Sequence, residues 1–162
     1  MPSIAVLSTE SSDDGDASGK NNFKNPSLIF VLIKVNNKMM NVMIDTGATN
    51  TIITEEALRK TKHQKFTTSS HHTLQMADGI AHLKMMGTVD LEIKIKQMVT
   101  TITAIVVKTL FTDCIIGTDY IKKYAVQVHG GKETVTIQKG NQFVTVSMEK
   151  QVDPLKMPLR LT

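Results

Sequence analysis

With 162 residues, the chain has room for one domain of ordinary size, which can bury a sizeable core without covalent staples. Its single cysteine excludes an intrachain disulfide, and no segment approaches the roughly 20 apolar residues that a membrane-spanning helix needs. The net charge of +4 is uneven, since residues 1–19 carry −4 and the remaining chain therefore carries +8.

The N-terminal segment is polar and lacks the features of a signal peptide. No basic region precedes its short apolar stretch, so we expect an intracellular protein. Residues 8–22 contain almost nothing apolar and cannot offset the entropy cost of ordering. The sequence thus predicts a disordered leader over 1–22, a folded domain over 23–150 and an extended tail over 151–162.

The domain itself shows the apolar alternation and β-branched composition of strands, interrupted by turn signals such as Asn36-Asn37. Short helices are predicted at Thr54–Lys60, with Thr54 as the N-cap, and at Thr118–Tyr124. The predicted strands are Leu28–Val35, Met39–Ile44, Thr73–Ala77, Ile80–Met85, Val89–Ile95, Val99–Val107, Cys114–Ile116, Ala125–His129, Val135–Gln138 and Phe143–Met148. The fold class is therefore all-β, with many hairpins and two short helices.

The first chemically informative run is Val42 to Thr49, in which an apolar strand leads directly into Asp45-Thr46-Gly47. A strand holds a carboxylate at a fixed place, and the glycine lets the chain turn so that backbone groups can reach it. The threonine hydroxyl can lock the loop by hydrogen bonding. Because Ile52-Ile53 follows, the motif lies between core elements, which argues against an ordinary surface turn.

Two later features accompany this motif. Asp78-Gly79 is a strong two-residue hairpin signal, and its hairpin is long enough to project over a cleft. Further on, a second apolar strand, Cys114–Ile116, runs into Gly117-Thr118-Asp119 and then into the second helix.

In this order the three features resemble the retropepsins, most closely the proteases of gypsy-type LTR retrotransposons and the related domains of the DNA-damage-inducible protein family. The resemblance covers about residues 27–148. Retroviral members usually have Gly-Arg-Asn or Gly-Arg-Asp at the last motif, whereas Gly117-Thr118-Asp119 is the retrotransposon-like variant. The resemblance implies a closed β-barrel of the acid-protease type that works as a homodimer.

The resemblance also implies roles for individual residues. Asp45 would be the catalytic aspartate, Thr46 the residue whose hydroxyl braces the active-site loops of the dimer, and Gly47 a backbone contact to substrate. The flap tip would be Met76, Ala77, Asp78, Gly79 and Ile80. From pattern alone, Ala48, Ile80 and Phe111 are predicted to line apolar side-chain pockets.

A single Asp-Thr-Gly implies two chains. Peptide hydrolysis by this chemistry needs two carboxyl groups in opposite protonation states, and the other aspartates do not end apolar strands in this way. A twofold axis between two copies of Asp45 would complete the site, so the partners expected are a second copy of the chain and an extended polypeptide substrate.

Two other function classes fit the sequence less well. A non-catalytic dimerisation or peptide-binding scaffold gains nothing from burying paired carboxylates, so the intact Asp45-Thr46-Gly47 argues against it. An aromatic content of 4% and the absence of a basic block argue against a nucleic-acid module. The five histidines lack metal-ligand spacing with cysteine, so no metal or cofactor is expected.

Overall fold

The computed structural model describes residues 28–61, 67–75 and 82–150, with side chains described outside 67–75 and 82. These residues form ten strands and two short helices. In chain order they are β1 Ile29–Val35, β2 Lys38–Ile44, β3 Ile52–Thr54, α1 Glu55–Arg59, β4 Thr67–Gln75, β5 His82–Ile95, β6 Met98–Val107, β7 Cys114–Ile116, α2 Thr118–Lys123, β8 Gln127–His129, β9 Thr134–Lys139 and β10 Gln142–Ser147. The leader 1–22 and the tail 151–162 lie outside the described residues, so their predicted states remain predictions. Neither helix in the described ranges is long and apolar enough to cross a membrane.

Six strands close into a barrel. Their order is β1-β2-β7-β3-β6-β5, and β1 returns to β5 through the pairs Lys34↔Lys94 and Val35↔Ile93. The fourth strand, β4, extends the barrel sheet beyond β5, and β8 to β10 form a separate antiparallel sheet. The predicted all-β closed barrel with short helices is confirmed.

Alternate residues of the barrel strands fill the barrel interior. In β1, Val31, Ile33 and Val35 are buried, whereas Leu32 and Lys34 between them are exposed. Since successive side chains of a strand point to opposite faces, apolar alternation on each strand directs one row inward. β9 adds Val135 and Ile137 to the same core from the second sheet.

The turn between β1 and β2 is the predicted Asn36-Asn37, with φ of 48° and 70°. Positive φ at both positions is the conformation of a two-residue hairpin turn, and Asn tolerates it better than most residues. Asn36 also ties the hairpin to β5, since its N–H donates to the Glu92 carbonyl and its Oδ1 accepts from the Glu92 N–H, both at 2.8 Å.

Two strand predictions were wrong in extent. The segments predicted as separate strands, Ile80–Met85 and Val89–Ile95, belong in their described part to one strand, β5, which starts at His82. An irregularity in pairing with β6 between Met85 and Gly87 lets the strand bend and continue, as a β-bulge does. β3 was not predicted as a strand, because three residues are too few to show a period.

The second helix is held to the barrel by two tyrosines. The Tyr120 hydroxyl lies 2.7 Å from Thr100 Oγ1, and the Tyr124 hydroxyl accepts from the Thr101 N–H at 3.0 Å. The Tyr124 hydroxyl also lies within hydrogen-bonding distance of the Thr101 carbonyl, at 3.2 Å. These contacts fix α2 against β6 and so position the residues at its first turn.

Cys114, at the start of β7, makes folding stability sensitive to alkaline pH. Burial, reinforced by the negative charge of Asp113, raises the pKa of its thiol from 9.0 to about 12. Between these values the unfolded chain loses the thiol proton and the folded chain keeps it, so the stability present below pH 9 is lost progressively as the pH rises. Between pH 8 and 10, the free energy of urea unfolding should fall more steeply with pH in the wild type than in Cys114→Ala, and parallel profiles would contradict this.

Candidate active site

Asp45 follows the last residue of β2 and is fully buried. β2 runs parallel to β7 in the register Ile44↔Ile116, and the Asp45 N–H continues that pairing by donating to the Ile116 carbonyl at 3.0 Å. The Gly47 N–H donates to Asp45 Oδ1 at 2.8 Å. Strand pairing thus fixes the backbone of Asp45, and the turn at Gly47 brings a backbone donor to its carboxylate.

The loop after Asp45 packs tightly against Gly117, the residue that follows β7. A Cβ on Gly117 would lie 2.6 Å from the Asn50 carbonyl oxygen and 2.7 Å from that of Ala48. The Thr118 N–H also donates to the Ala48 carbonyl at 2.8 Å. Only glycine allows this approach, so the backbone of the Asp45 loop packs directly against Gly117.

Thr51 and Asp119 also belong to this arrangement, and neither was among the predicted site residues. Thr51 is fully buried, and its hydroxyl donates to Asp119 Oδ1 at 2.8 Å. The sequence signal is the Gly117-Thr118-Asp119 motif, which carries part of the family resemblance but does not by itself indicate a contact with the Asp45 loop. What the motif contacts depends on residues 68 positions away, which no local pattern discloses.

Thr46 follows Asp45 and presents an unsatisfied polar atom. Its Oγ1 is shielded from solvent and has no hydrogen-bond partner within the described part of the chain. A buried hydroxyl without a partner costs about 1–3 kcal/mol, so a donor or acceptor from outside the described residues would stabilise this atom.

A second apolar cluster adjoins the loop on the face of the strands opposite the barrel core. It consists of Met43, Ile52, Ile105, Val107 and Ile115. Ala48, one of the predicted pocket residues, packs against this cluster, as does Leu110. The side chain of Phe111, another predicted pocket residue, is 53% exposed, so its role in a pocket remains a prediction.

The predicted flap residues Met76, Ala77, Asp78, Gly79 and Ile80 lie outside the described residues. The strands on either side of them, β4 and β5, pair antiparallel in the register Gln75↔His82. A two-residue turn at Asp78-Gly79 would produce this register. The flap assignment itself remains a prediction.

Among the described residues, no group of three or more His, Cys, Asp or Glu side chains could hold a metal ion. The Gly47 N–H donates to Asp45 itself, and the polar contacts that hold the rest of the loop use backbone amides, the Thr51 hydroxyl and the Asp119 carboxylate. Such a site can hold and exchange protons on a carboxyl group, which is the requirement for acid–base activation of water.

Several solved structures are similar to this chain. The retroviral protease-like domain of Ddi1 from Leishmania major superposes with a TM-score of 0.63 and 17% sequence identity, covering 76% of this chain and 95% of that one. The EIAV protease complexed with the inhibitor HBY-793 gives a TM-score of 0.49 at 17% sequence identity, covering 63% of this chain and 92% of that one. A retropepsin-like aspartic protease from Rickettsia conorii gives a TM-score of 0.47 at 19% sequence identity, covering 64% of this chain and 77% of that one. The first of these shows the fold.

No curated protein sequence matches the chain. A family model described as "gag-polyprotein putative aspartyl protease" matches residues 31–123, which include the Asp45 loop and Gly117-Thr118-Asp119. The match covers more than half of the chain and confirms the predicted resemblance to the retropepsins. The chain therefore belongs to the gag-polyprotein aspartyl protease family.

Proposed function

We propose that this protein is an aspartic endopeptidase that acts as a homodimer, with one Asp45 from each chain. The observation that carries the proposal is a buried aspartate at a strand end, whose Oδ1 receives the Gly47 N–H at 2.8 Å. The motif occurs once in the sequence, so one chain supplies half of a two-carboxylate site. A closed twofold dimer brings the second half to the same place.

The chemistry follows from placing two carboxyl groups side by side. At that distance both cannot be ionised, so the pair shares one proton. The ionised carboxylate takes a proton from a bound water, while the protonated one donates to the carbonyl oxygen of the scissile peptide. The activity should therefore favour mild acid, and its pH profile should be described by values that belong to the pair rather than to either residue.

Apolar surroundings favour an extended polypeptide with apolar residues beside the cleaved bond. The cluster around Met43, Ile52 and Ile115 lies on the same strands as Asp45 and reaches Ala48 in the loop. Backbone hydrogen bonds to an extended strand would supply affinity independent of sequence, and this cluster would supply the side-chain preference. The family description supports a retroelement polyprotein as the substrate class.

The dimer can be tested at Thr46, because its Oγ1 is buried and unpaired within the described protomer. If each hydroxyl bonds across the twofold axis, Thr46→Val removes two hydrogen bonds per dimer. At about 1 kcal/mol each, the loss should raise the dimer dissociation constant about tenfold to a hundredfold. Sedimentation, together with the dependence of cleavage rate on protein concentration, measures the change.

Thr46→Ser is the matched control, because it keeps the hydroxyl and should dimerise nearly as the wild type does. Below the dissociation constant, wild-type activity should rise with the square of protein concentration. Equal dissociation constants for the Val and Ser variants would show that Thr46 does not bridge the two chains. A cleavage rate linear in concentration throughout would contradict the two-chain site.

A further inference from the structure

We infer that Asp119 is a positioning residue for Asp45, holding the loop at residues 45–51 against the first turn of α2. The inference rests on the proposed aspartic protease function. On this proposal, the Asp119 carboxylate fixes the position of the loop that each chain contributes to the dimeric site.

Three donors converge on this carboxylate. Oδ1 accepts from the Thr51 hydroxyl at 2.8 Å and from the Tyr120 N–H at 2.7 Å, and Oδ2 accepts from the Thr51 N–H at 3.0 Å. Both oxygens are therefore acceptors, and two of the three donors belong to the end of the Asp45 loop. Hydrogen bonds to a carboxylate are stronger than those between neutral groups, so the contact can hold a loop in one position.

The Thr51 hydroxyl extends the contact to Gly117. Because it donates to Asp119, its oxygen is free to accept the Gly117 N–H, which lies at 3.2 Å. Two hydrogen bonds thus link Gly117 to Thr51 and Thr51 to Asp119. In parallel, the Asp119 N–H donates to the Thr49 carbonyl at 3.2 Å, so backbone and side chain of the same residue hold the same loop.

In this chain, the three donors around Asp119 are matched by a carboxylate better than by an amide. Asparagine has one acceptor oxygen, and its NH₂ group must take one of the two oxygen positions. In one orientation the NH₂ faces the Tyr120 N–H, and in the other it faces the Thr51 N–H. Backbone donors cannot rotate away, so Asp119→Asn breaks one contact in either orientation and loosens the loop.

The catalytic test uses Asp119→Asn and the pair Thr51→Val and Thr51→Ser, in dimer-saturating conditions and at a temperature where all variants are folded. Because the loosened loop carries Asp45, kcat should fall about tenfold or more in Asp119→Asn and Thr51→Val, a larger change than any in KM. Thr51→Ser keeps both donors and the acceptor, so it should restore kcat. Asp113→Asn, the same chemical change at an exposed carboxylate, is the control and should act as wild type.

A second readout does not depend on activity. Amide hydrogen exchange over residues 46–51 in the substrate-free protein should be faster in Asp119→Asn and Thr51→Val than in the wild type, Thr51→Ser and Asp113→Asn. If the wild type cleaves no peptide but exchange follows this order, the proposed function has failed, whereas the role of Asp119 in holding the loop is confirmed. Unchanged exchange in the variants would show that Asp119 does not hold the loop. Faster exchange with an unchanged kcat per folded dimer would show that Asp119 holds the loop but does not position Asp45.

Discussion

Asp45→Asn is expected to abolish peptide cleavage while leaving the fold and the dimer in place. Asparagine matches aspartate in shape and can still accept the Gly47 N–H through its side-chain oxygen, but it cannot exchange a proton with water or substrate. Proton transfer by a positioned group contributes about 10²–10⁴ to a rate, and the twofold dimer loses both groups at once. The measurement is cleavage of an extended apolar peptide from pH 4 to 7 at protein concentrations that saturate the dimer.

Mixing the two forms tests whether each active site needs two chains. With equal amounts of wild type and Asp45→Asn, random pairing places half of the wild-type chains in heterodimers. If heterodimers are inactive, activity should fall to about half that of the same amount of wild type alone. Unchanged activity in the mixture would mean that each chain is active by itself, and activity in pure Asp45→Asn would show that another group carries the reaction.

The same assay separates the protease from a binding scaffold. If both forms are inactive on every extended peptide tested but the dimer binds those peptides with equal affinity, the non-catalytic peptide-binding function is favoured. A protease predicts a different pattern, in which the variant binds a peptide that the wild type consumes.

Gly117→Ala is expected to have the second largest effect, because the added Cβ meets backbone rather than a movable side chain. It would lie 2.6 Å from the Asn50 carbonyl oxygen and 2.7 Å from that of Ala48. The Asp45 loop or the start of α2 must shift to admit it. Overpacking of this kind costs about 1–3 kcal/mol, and a displacement of about 1 Å at a catalytic group can lower the rate a hundredfold.

Gly131→Ala is the matched control, since a Cβ there would meet no atom within 4 Å. The free energy of unfolding in urea and the kcat of the folded dimer should both be lower in Gly117→Ala and nearly unchanged in Gly131→Ala. If Gly117→Ala retains wild-type stability and kcat, the loop does not depend on this close approach.

Several features of the fold could be predicted from the sequence because they depend on neighbouring residues. Apolar alternation over Val89–Ile95, in the second half of β5, predicted the buried face of that strand. Asn36-Asn37 predicted a tight turn because few residues tolerate two successive positive φ angles. Thr54 was correctly identified as the N-cap of α1, and its side chain accepts from the Ala57 N–H.

Other features depend on pairs of residues far apart in the chain. The predicted strand ends at Met85 and Val89 missed the continuity of β5, because a bulge is defined by the partner strand rather than by local residues. The placement of β3 between β6 and β7 had no local signal either. A residue pattern states which face of a strand is apolar, but not which strand lies beside it.

For the candidate site, the sequence by itself identified Asp45 as the candidate acid, the glycine turn after it and the family resemblance. Only the tertiary structure decided what supports that acid: the parallel pairing of β2 with β7, the contact of Gly117 with the loop, and the acceptance of three donors by Asp119. The physical reason is that a motif records local backbone chemistry, whereas hydrogen bonds and close contacts between distant segments depend on how the barrel closes.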